Sequence, residues 1–87
     1  MMGAKTVGKT GFGYGDGDQP LFRVNAGHDA GRAMEQASAM MACVRRMTLL
    51  AATDGEADLG WAEHLLSDMV KAVMDDVELG QAEKAGH

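Results

Sequence analysis

Apolar residues recur every three or four positions in two long stretches of the chain, residues 29–52 and residues 59–79. On a helical wheel of about 100° per residue, the apolar side chains of the first stretch form one stripe centred on Ala37. Those of the second stretch centre on Met69 and spread over roughly half of the helix circumference. The pattern predicts two amphipathic helices, helix 1 at 29–52 and helix 2 at 59–79.

The ends of both helices carry recognisable signals. Asp29 is placed to cap helix 1 and Asp58 to cap helix 2, and Gly80 stands where a glycine commonly follows a helix. The turn-forming segment 53–60 is short enough to favour antiparallel neighbours. The expected shared core is Ala37, Met41, Val44, Leu65, Met69 and Val73.

Outside the helices the sequence predicts little regular structure. Residues 1–20 are rich in glycine, which loses the most conformational entropy on ordering, so we expect a flexible tail. Residues 21–27 have a β-like composition but are too few to form a stable strand alone. We expect an extended arm there, either packed over the helices or paired with the same arm of a second copy. Residues 81–87 are expected to form another flexible tail, so the folded domain spans 21–80.

The apolar face of helix 2 is wider than one partner helix covers. The sequence therefore predicts an all-α fold, an antiparallel two-helix hairpin with an extended N-terminal arm, which forms a four-helix bundle as a homodimer. The side chains expected at this interface, or at one with another protein, are Phe22, Val24, Met40, Met47, Trp61, Val70 and Val77.

Length and charge narrow the class of protein. Eighty-seven residues fit one small domain, and a single cysteine, Cys43, excludes an internal disulfide, which suits a reducing compartment. Neither a signal-peptide pattern nor a run of about 20 apolar residues is present, so we expect a cytoplasmic protein without a membrane span. A net charge of −5, with the acids concentrated in residues 53–87, disfavours nucleic acid as a partner.

Four runs of sequence in the arm and both helices resemble a family of short bacterial proteins known as domain of unknown function 3077. The runs are Gln19-Pro20-Leu21-Phe22-Arg23-Val24-Asn25-Ala26-Gly27, Ala33-Met34-Glu35-Gln36-Ala37-Ser38, Trp61-Ala62-Glu63-His64-Leu65-Leu66-Ser67-Asp68-Met69 and Lys71-Ala72-Val73-Met74-Asp75-Asp76. The family typically has leucine where this chain has Met34. The resemblance covers nearly the whole chain and supports the segment boundaries, and it implies no reaction, cofactor or partner.

One N-terminal motif matches a phosphate-binding pattern. Residues 3–10, Gly-Ala-Lys-Thr-Val-Gly-Lys-Thr, have the GxxxxGKT spacing of a P-loop. A working P-loop needs a buried strand before it and a helix after it, so that its N–H groups cradle phosphate. Only Met1 and Met2 precede this motif, and a glycine-rich segment follows it. We therefore expect an accidental match in a flexible tail and no nucleotide binding.

Three further features favour a structural explanation over a chemical one. His64 and Asp68 share a helix face, but two ligands do not make a metal site. Cys43 flanks helix 1 with no histidine placed as its base. Asp76 falls inside the apolar arc of helix 2 beside Asp75, so we expect either that the helix frays there or that a cation such as Arg32 pairs with these acids. No catalytic, cofactor-binding or metal-binding residue is predicted.

These observations favour a non-enzymatic helical protein that acts in protein–protein interaction or as a regulatory adaptor. An alternative is an acidic mimic of nucleic acid that inhibits a DNA-binding protein. The carboxylates of the mimic would be those of Asp54, Glu56, Asp58, Asp68, Asp75, Asp76 and Glu78. A nucleotide-binding protein that uses the N-terminal motif is the least favoured reading.

Overall fold

Two long helices and a small two-stranded sheet make up the protein in its computed structural model, which describes residues 3–55 and 57–86. The strands are β1 (Gly11–Phe12) and β2 (Phe22–Arg23), and the helices are α1 (Ala30–Asp54) and α2 (Ala57–Ala85). The helices pack against each other along their length. The prediction of a mostly helical hairpin is therefore confirmed.

The ends of α1 follow from its capping residues. The Asp29 carboxylate accepts a hydrogen bond from the backbone N–H of Arg32 at 3.0 Å, as expected for an N-cap. Gly55, at φ 68°, ends the helix in the left-handed conformation and donates its N–H to Ala51. Because α2 begins at Ala57, the connection is shorter than the predicted loop 53–60, and Asp58 lies in the first turn of α2 instead of capping it.

The core between the helices is narrow. Ala30, Ala37 and Val44 are buried at intervals of seven residues along α1, which is the spacing of a helix–helix seam. On α2 the buried apolar residues are Val70, Ala72 and Val77. Two predicted core residues lie elsewhere: Leu65 is 55% exposed and Met41 is also exposed. The wheel correctly gave an apolar arc for α2, but it could not say which part of that arc faces α1.

The N-terminal segment forms an antiparallel ribbon with residues 22–30, where we expected a flexible tail and a separate arm. Phe12 pairs with Phe22 in the sheet, and hydrogen bonds continue the pairing from Thr10 back to Ala4. Thr6 is buried at its centre, and its hydroxyl donates to the Asn25 carbonyl at 2.7 Å. The arm therefore pairs within its own chain, which satisfies the backbone groups that a second copy would otherwise have to satisfy.

The C-terminal end of α2 also differs from the prediction. The helix continues through Gly80 to Ala85, so most of the predicted tail 81–87 is helical, and His87 lies outside the described residues. Gly80 is buried, and a Cβ built on it would overlap the carbonyl oxygen of Lys5. This glycine therefore lets the ribbon pass directly against the helix and does not end it.

Candidate functional site

The Asp76 carboxylate lies at the point where the ribbon crosses α2, and four consecutive backbone N–H groups surround it. Oδ2 accepts from Val7 at 2.7 Å and Gly8 at 3.0 Å. Oδ1 accepts from Lys9 at 2.9 Å and Thr10 at 3.0 Å. We call the N–H groups of residues 7–10 the anion nest. Such a run of inward-pointing N–H groups is a concave anion-binding site built from the backbone alone.

Burial and hydrogen bonding act on Asp76 in opposite directions. Its side chain is 0% exposed, and this burial, the largest single influence, favours the neutral carboxyl and raises the pKa. The N–H groups of Gly8, Thr10, Lys9 and Val7 together outweigh burial, so the pKa of Asp76 lies below its usual value. Asp76 is therefore a buried carboxylate that is held in its charged form by backbone donors.

Two glycines make this arrangement sterically feasible. Gly8 adopts φ +77°, which side-chain-bearing residues rarely adopt, and a Cβ there would come within 2.9 Å of the Ala26 Cβ. Gly80 lies one helical turn after Asp76 and gives the ribbon its close approach at Lys5. The nest and its carboxylate therefore depend on small residues on both sides of the crossing.

The anion nest is the second half of the GxxxxGKT motif, so the motif is part of the fold. In a P-loop, N–H groups at these positions cradle phosphate; here the same groups bind a carboxylate of their own chain. The Lys9 side chain points to Glu83, with Nζ 3.4 Å from Oε2. We expected an accidental match in a flexible tail. The structure instead shows an ordered segment whose N–H groups bind the Asp76 carboxylate of the same chain.

The acidic pair near the end of α2 does not meet Arg32 as expected. Asp76 is held by the anion nest, and Asp75 pairs with Lys71 on its own helix at 2.6 Å. The hydrogen bond and charge of Asp75 raise the pKa of Lys71. Arg32 instead lines a cavity between the ribbon and the helices. The prediction of an ion pair with Arg32 was wrong, because backbone N–H groups of the ribbon bind the Asp76 carboxylate. These residues had been predicted to form a flexible tail.

The predicted interface residues divide into three groups. Phe22 and Trp61 are exposed, whereas Val24, Met40 and Met47 are half-buried. Val70 and Val77 are each 2% exposed, so they lie inside the protomer. These two residues are therefore not available for the predicted interface.

The N-terminal half of α2 keeps an uncovered apolar face. Leu65 and Trp61 precede Ala72 by seven and eleven residues, about two and three helical turns, so the three lie on one side of the helix. Ala72 is 3% exposed, whereas Leu65 is 55% and Trp61 is 65% exposed. We call the surface formed by Trp61 and Leu65 the open face. Leu49 and Leu50 are also exposed near the same end of the hairpin.

The remaining candidate residues are His64, Asp68 and Cys43. Nε2 of His64 lies 3.6 Å from Oδ2 of Asp68, and the His64 ring meets Trp61 edge-on. Cys43 is exposed. No group of three or more potential metal ligands comes together within residues 3–55 and 57–86. Among the same residues, neither helix is long and apolar enough to cross a membrane.

Sequence reasoning found the nest and its carboxylate separately but did not connect them. The signal was present: Asp76 is an acid inside an apolar arc, and the GxxxxGKT motif is a sequence whose backbone can surround an anion. A buried carboxylate is stable only with hydrogen-bond donors around it, and a nest of N–H groups favours binding of an anion. Joining the two needed the path of the chain across 66 residues, which no local pattern provides.

Comparison with known proteins gives one match. A family model with the description "Protein of unknown function (DUF3077)" matches residues 6–80. The matched range contains both the anion nest and Asp76. Curated proteins and solved structures gave no match.

Proposed function

The chain belongs to the DUF3077 family, and from this premise we propose that it is a non-enzymatic protein that self-associates through the open face. The resulting four-helix bundle would act as a protein-interaction module. The observation that carries the proposal is the exposure of Trp61 and Leu65 on the same side of α2 that the ribbon covers further along. Exposed aromatic and aliphatic side chains of this size are typical of contact surfaces.

The small size of the buried side chains in the protomer's core supports the proposal that the protein associates with a partner. The buried apolar side chains of the described residues are valines and alanines, and the larger Leu65, Trp61 and Leu49 remain exposed. The Cα atoms occupy a slab only 15 Å thick, so no side chain lies far from the surface. A domain of this size rarely gains much stability from one core, and association is a common remedy.

A second copy of the chain is the occupant that the charges favour. Helix α1 carries three arginines against Glu35 and Asp54, whereas α2 carries seven acids against two lysines. If two hairpins pair so that α1 of one copy lies near α2 of the other, unlike charges surround the apolar contact. We therefore propose a homodimer in preference to a complex with an unidentified protein.

Nucleotide binding through the GxxxxGKT motif has less support. A phosphate at the anion nest would have to displace Asp76, whose oxygens already accept from all four N–H groups. The displaced carboxylate would then be buried without donors, at a cost of at least about 1–3 kcal/mol. The nest therefore serves the fold, and the proposal assigns it no nucleotide.

Nucleic-acid mimicry also has less support than self-association. Asp76 is fully buried, and Asp75 and Asp68 are engaged with Lys71 and His64. Glu56 lies outside the described residues, and the side chain of Asp54 is not described. The exposed acids of the described part of α2 are therefore fewer than the sequence implies.

Sedimentation equilibrium over a range of protein concentrations tests the proposal. We expect the wild-type mass to rise from 9.2 kDa toward twice that value. Leu65→Glu places a charge in the open face and should keep the protein at the lower mass, because an unpaired charge cannot be desolvated cheaply. Met74→Glu, at another exposed apolar site on α2, is the matched control and should dimerise normally. Wild type at 9.2 kDa throughout, or equal behaviour of both variants, would contradict the proposal.

A further inference from the structure

A second feature of the fold, independent of the open face, is a cavity between the ribbon and the two helices. Its volume is about 340 Å³, which is within the usual range of about 300–1,000 Å³ for small-molecule sites. Phe12 and Val24 of the ribbon and Met69 and Val73 of α2 form apolar walls. We call this cavity the ribbon–helix pocket.

The lining of the ribbon–helix pocket contains more basic than acidic side chains, on a chain whose net charge is −5. Arg23 and Arg32 both line it. The Arg23 guanidinium is held in place by one hydrogen bond from Nη1 to the Lys9 carbonyl at 3.0 Å, which leaves most of its five N–H donors free. Within the part of the chain that the structure describes, the Arg32 side chain has no hydrogen-bond or ion-pair partner.

The acidic residue at the pocket offsets only one of these two positive charges. Asp29 lines the pocket as well, but its Oδ2 accepts from the backbone N–H of Arg32 in capping α1. His28 also lines the pocket, and its ring can donate a further N–H to an anion because it has no partner among the described residues. The pocket therefore combines apolar walls with guanidinium donors that are not used by other described residues.

We propose that the ribbon–helix pocket binds a small carboxylate with an aromatic or aliphatic body. The apolar body would lie against Phe12, Met69 and Val73, and the carboxylate would accept hydrogen bonds from Arg32 and Arg23. The planar guanidinium matches a carboxylate with two parallel hydrogen bonds. Burial of the body supplies the hydrophobic part of the binding free energy. The acidic surface elsewhere disfavours binding of the same anion at other places.

Calorimetric titration of the full chain with naphthalene-2-carboxylate tests the site, with naphthalene-2-carboxamide as its neutral counterpart. We expect saturable binding of one carboxylate per chain and much weaker binding of the carboxamide. Arg32→Gln should weaken carboxylate binding by at least about tenfold, because a charge-assisted pair is lost. Arg32→Lys, which keeps the charge without the planar fork, should lie in between. Arg46→Gln, at an arginine outside the pocket, is the matched control and should bind as the wild type does.

A second variant separates pocket binding from binding at the open face. Ala33→Leu adds bulk to the pocket lining and should abolish binding of the probe, whereas Leu65→Glu should leave it unchanged. Thermal melts of every variant report whether the fold is retained. The proposal is overturned if the carboxylate does not bind at millimolar concentration, if the carboxamide binds equally well, or if Leu65→Glu abolishes binding while Arg32→Gln does not.

Discussion

Asp76 is the residue that connects the N-terminal ribbon to α2 by side-chain hydrogen bonds. Its carboxylate joins the N-terminal ribbon to α2 by four hydrogen bonds, and the residues on either side of the crossing must be small. Hydrogen bonds to a charged acceptor are stronger than neutral ones, and a buried charge left without donors is costly. We therefore expect the Asp76 carboxylate to stabilise the packing of the ribbon against α2.

The sign of the pKa shift gives a pH dependence. Because the pKa of Asp76 is lower in the folded protein than its usual value of 3.8, the folded state favours the carboxylate more than the unfolded chain does. The resulting stability is fully present above the unfolded pKa, and it is lost as the pH falls through the folded pKa. The window for this loss therefore lies below about pH 4.

Asp76→Asn should destabilise the protein at neutral pH and reduce its acid sensitivity. The amide keeps one acceptor but points N–H groups at two backbone donors, so a cost of about 2–6 kcal/mol is expected from two unsatisfied groups. Urea unfolding followed by circular dichroism from pH 7 to pH 2 measures both effects.

Asp75→Asn is the matched control for that measurement, because Asp75 is the neighbouring acid and its partner Lys71 lies at the surface. It should leave stability and its acid dependence close to those of the wild type. If Asp76→Asn unfolds at the same urea concentration as Asp75→Asn, the anion nest is not a stabilising contact.

At the scale of elements, the sequence predicted α1 and α2 well and the ribbon poorly. Helical periodicity and Asp29 located the start of α1 within one residue, since a cap acts locally. The ribbon 4–12 could not be found in this way, because its pairing with 22–30 and its contact with Asp76 join residues far apart in sequence. Glycines at 8, 11 and 13, which suggest flexibility in isolation, allow close approach once the partners are known.

The predicted core of α2 was wrong at two residues, Leu65 and Val70. Leu65 was placed in the core and Val70 at an interface, because a helical wheel gives the width of the apolar arc and not the side that faces α1. In the structure Val70 and Val77 are buried on one side of α2, and the ribbon is a further neighbour on the opposite side, where Ala72 and Asp76 are buried. The candidate site was predictable only as separate residues, since its geometry depends on this third element.

This division of the arc can be checked by two substitutions on one helix. Val70→Ala should destabilise the protomer by about 1–3 kcal/mol, from lost burial and a residual cavity. Leu65→Ala should cost less than about 1 kcal/mol when the protein is dilute enough to be monomeric, because an exposed side chain gives up little. Urea unfolding at low micromolar concentration measures both. If Leu65→Ala lowers the free energy of unfolding more than Val70→Ala does, Leu65 belongs to the core, as the helical wheel predicted.

At the scale of the whole molecule, α2 contacts the ribbon near its C-terminal end and carries the open face near its N-terminal end. The ribbon crosses α2 at Asp76 and Gly80, and Trp61 and Leu65 stay exposed near the hairpin loop. A protein that closed all of its apolar surface within one chain would not need a partner. In this chain Trp61 and Leu65 remain exposed on α2, which is the basis for expecting a dimer.

The most direct test of this account is isotope-filtered NMR on a mixture of labelled and unlabelled protein. The single tryptophan gives one indole signal, so contacts of Trp61 can be assigned without ambiguity. At concentrations where the mass is doubled, we expect intermolecular nuclear Overhauser effects from the Trp61 indole to the Leu65 methyl groups of the second copy. The account is contradicted if the mass stays at 9.2 kDa at every concentration. It is equally contradicted if a dimer forms in which Trp61 shows no intermolecular contact.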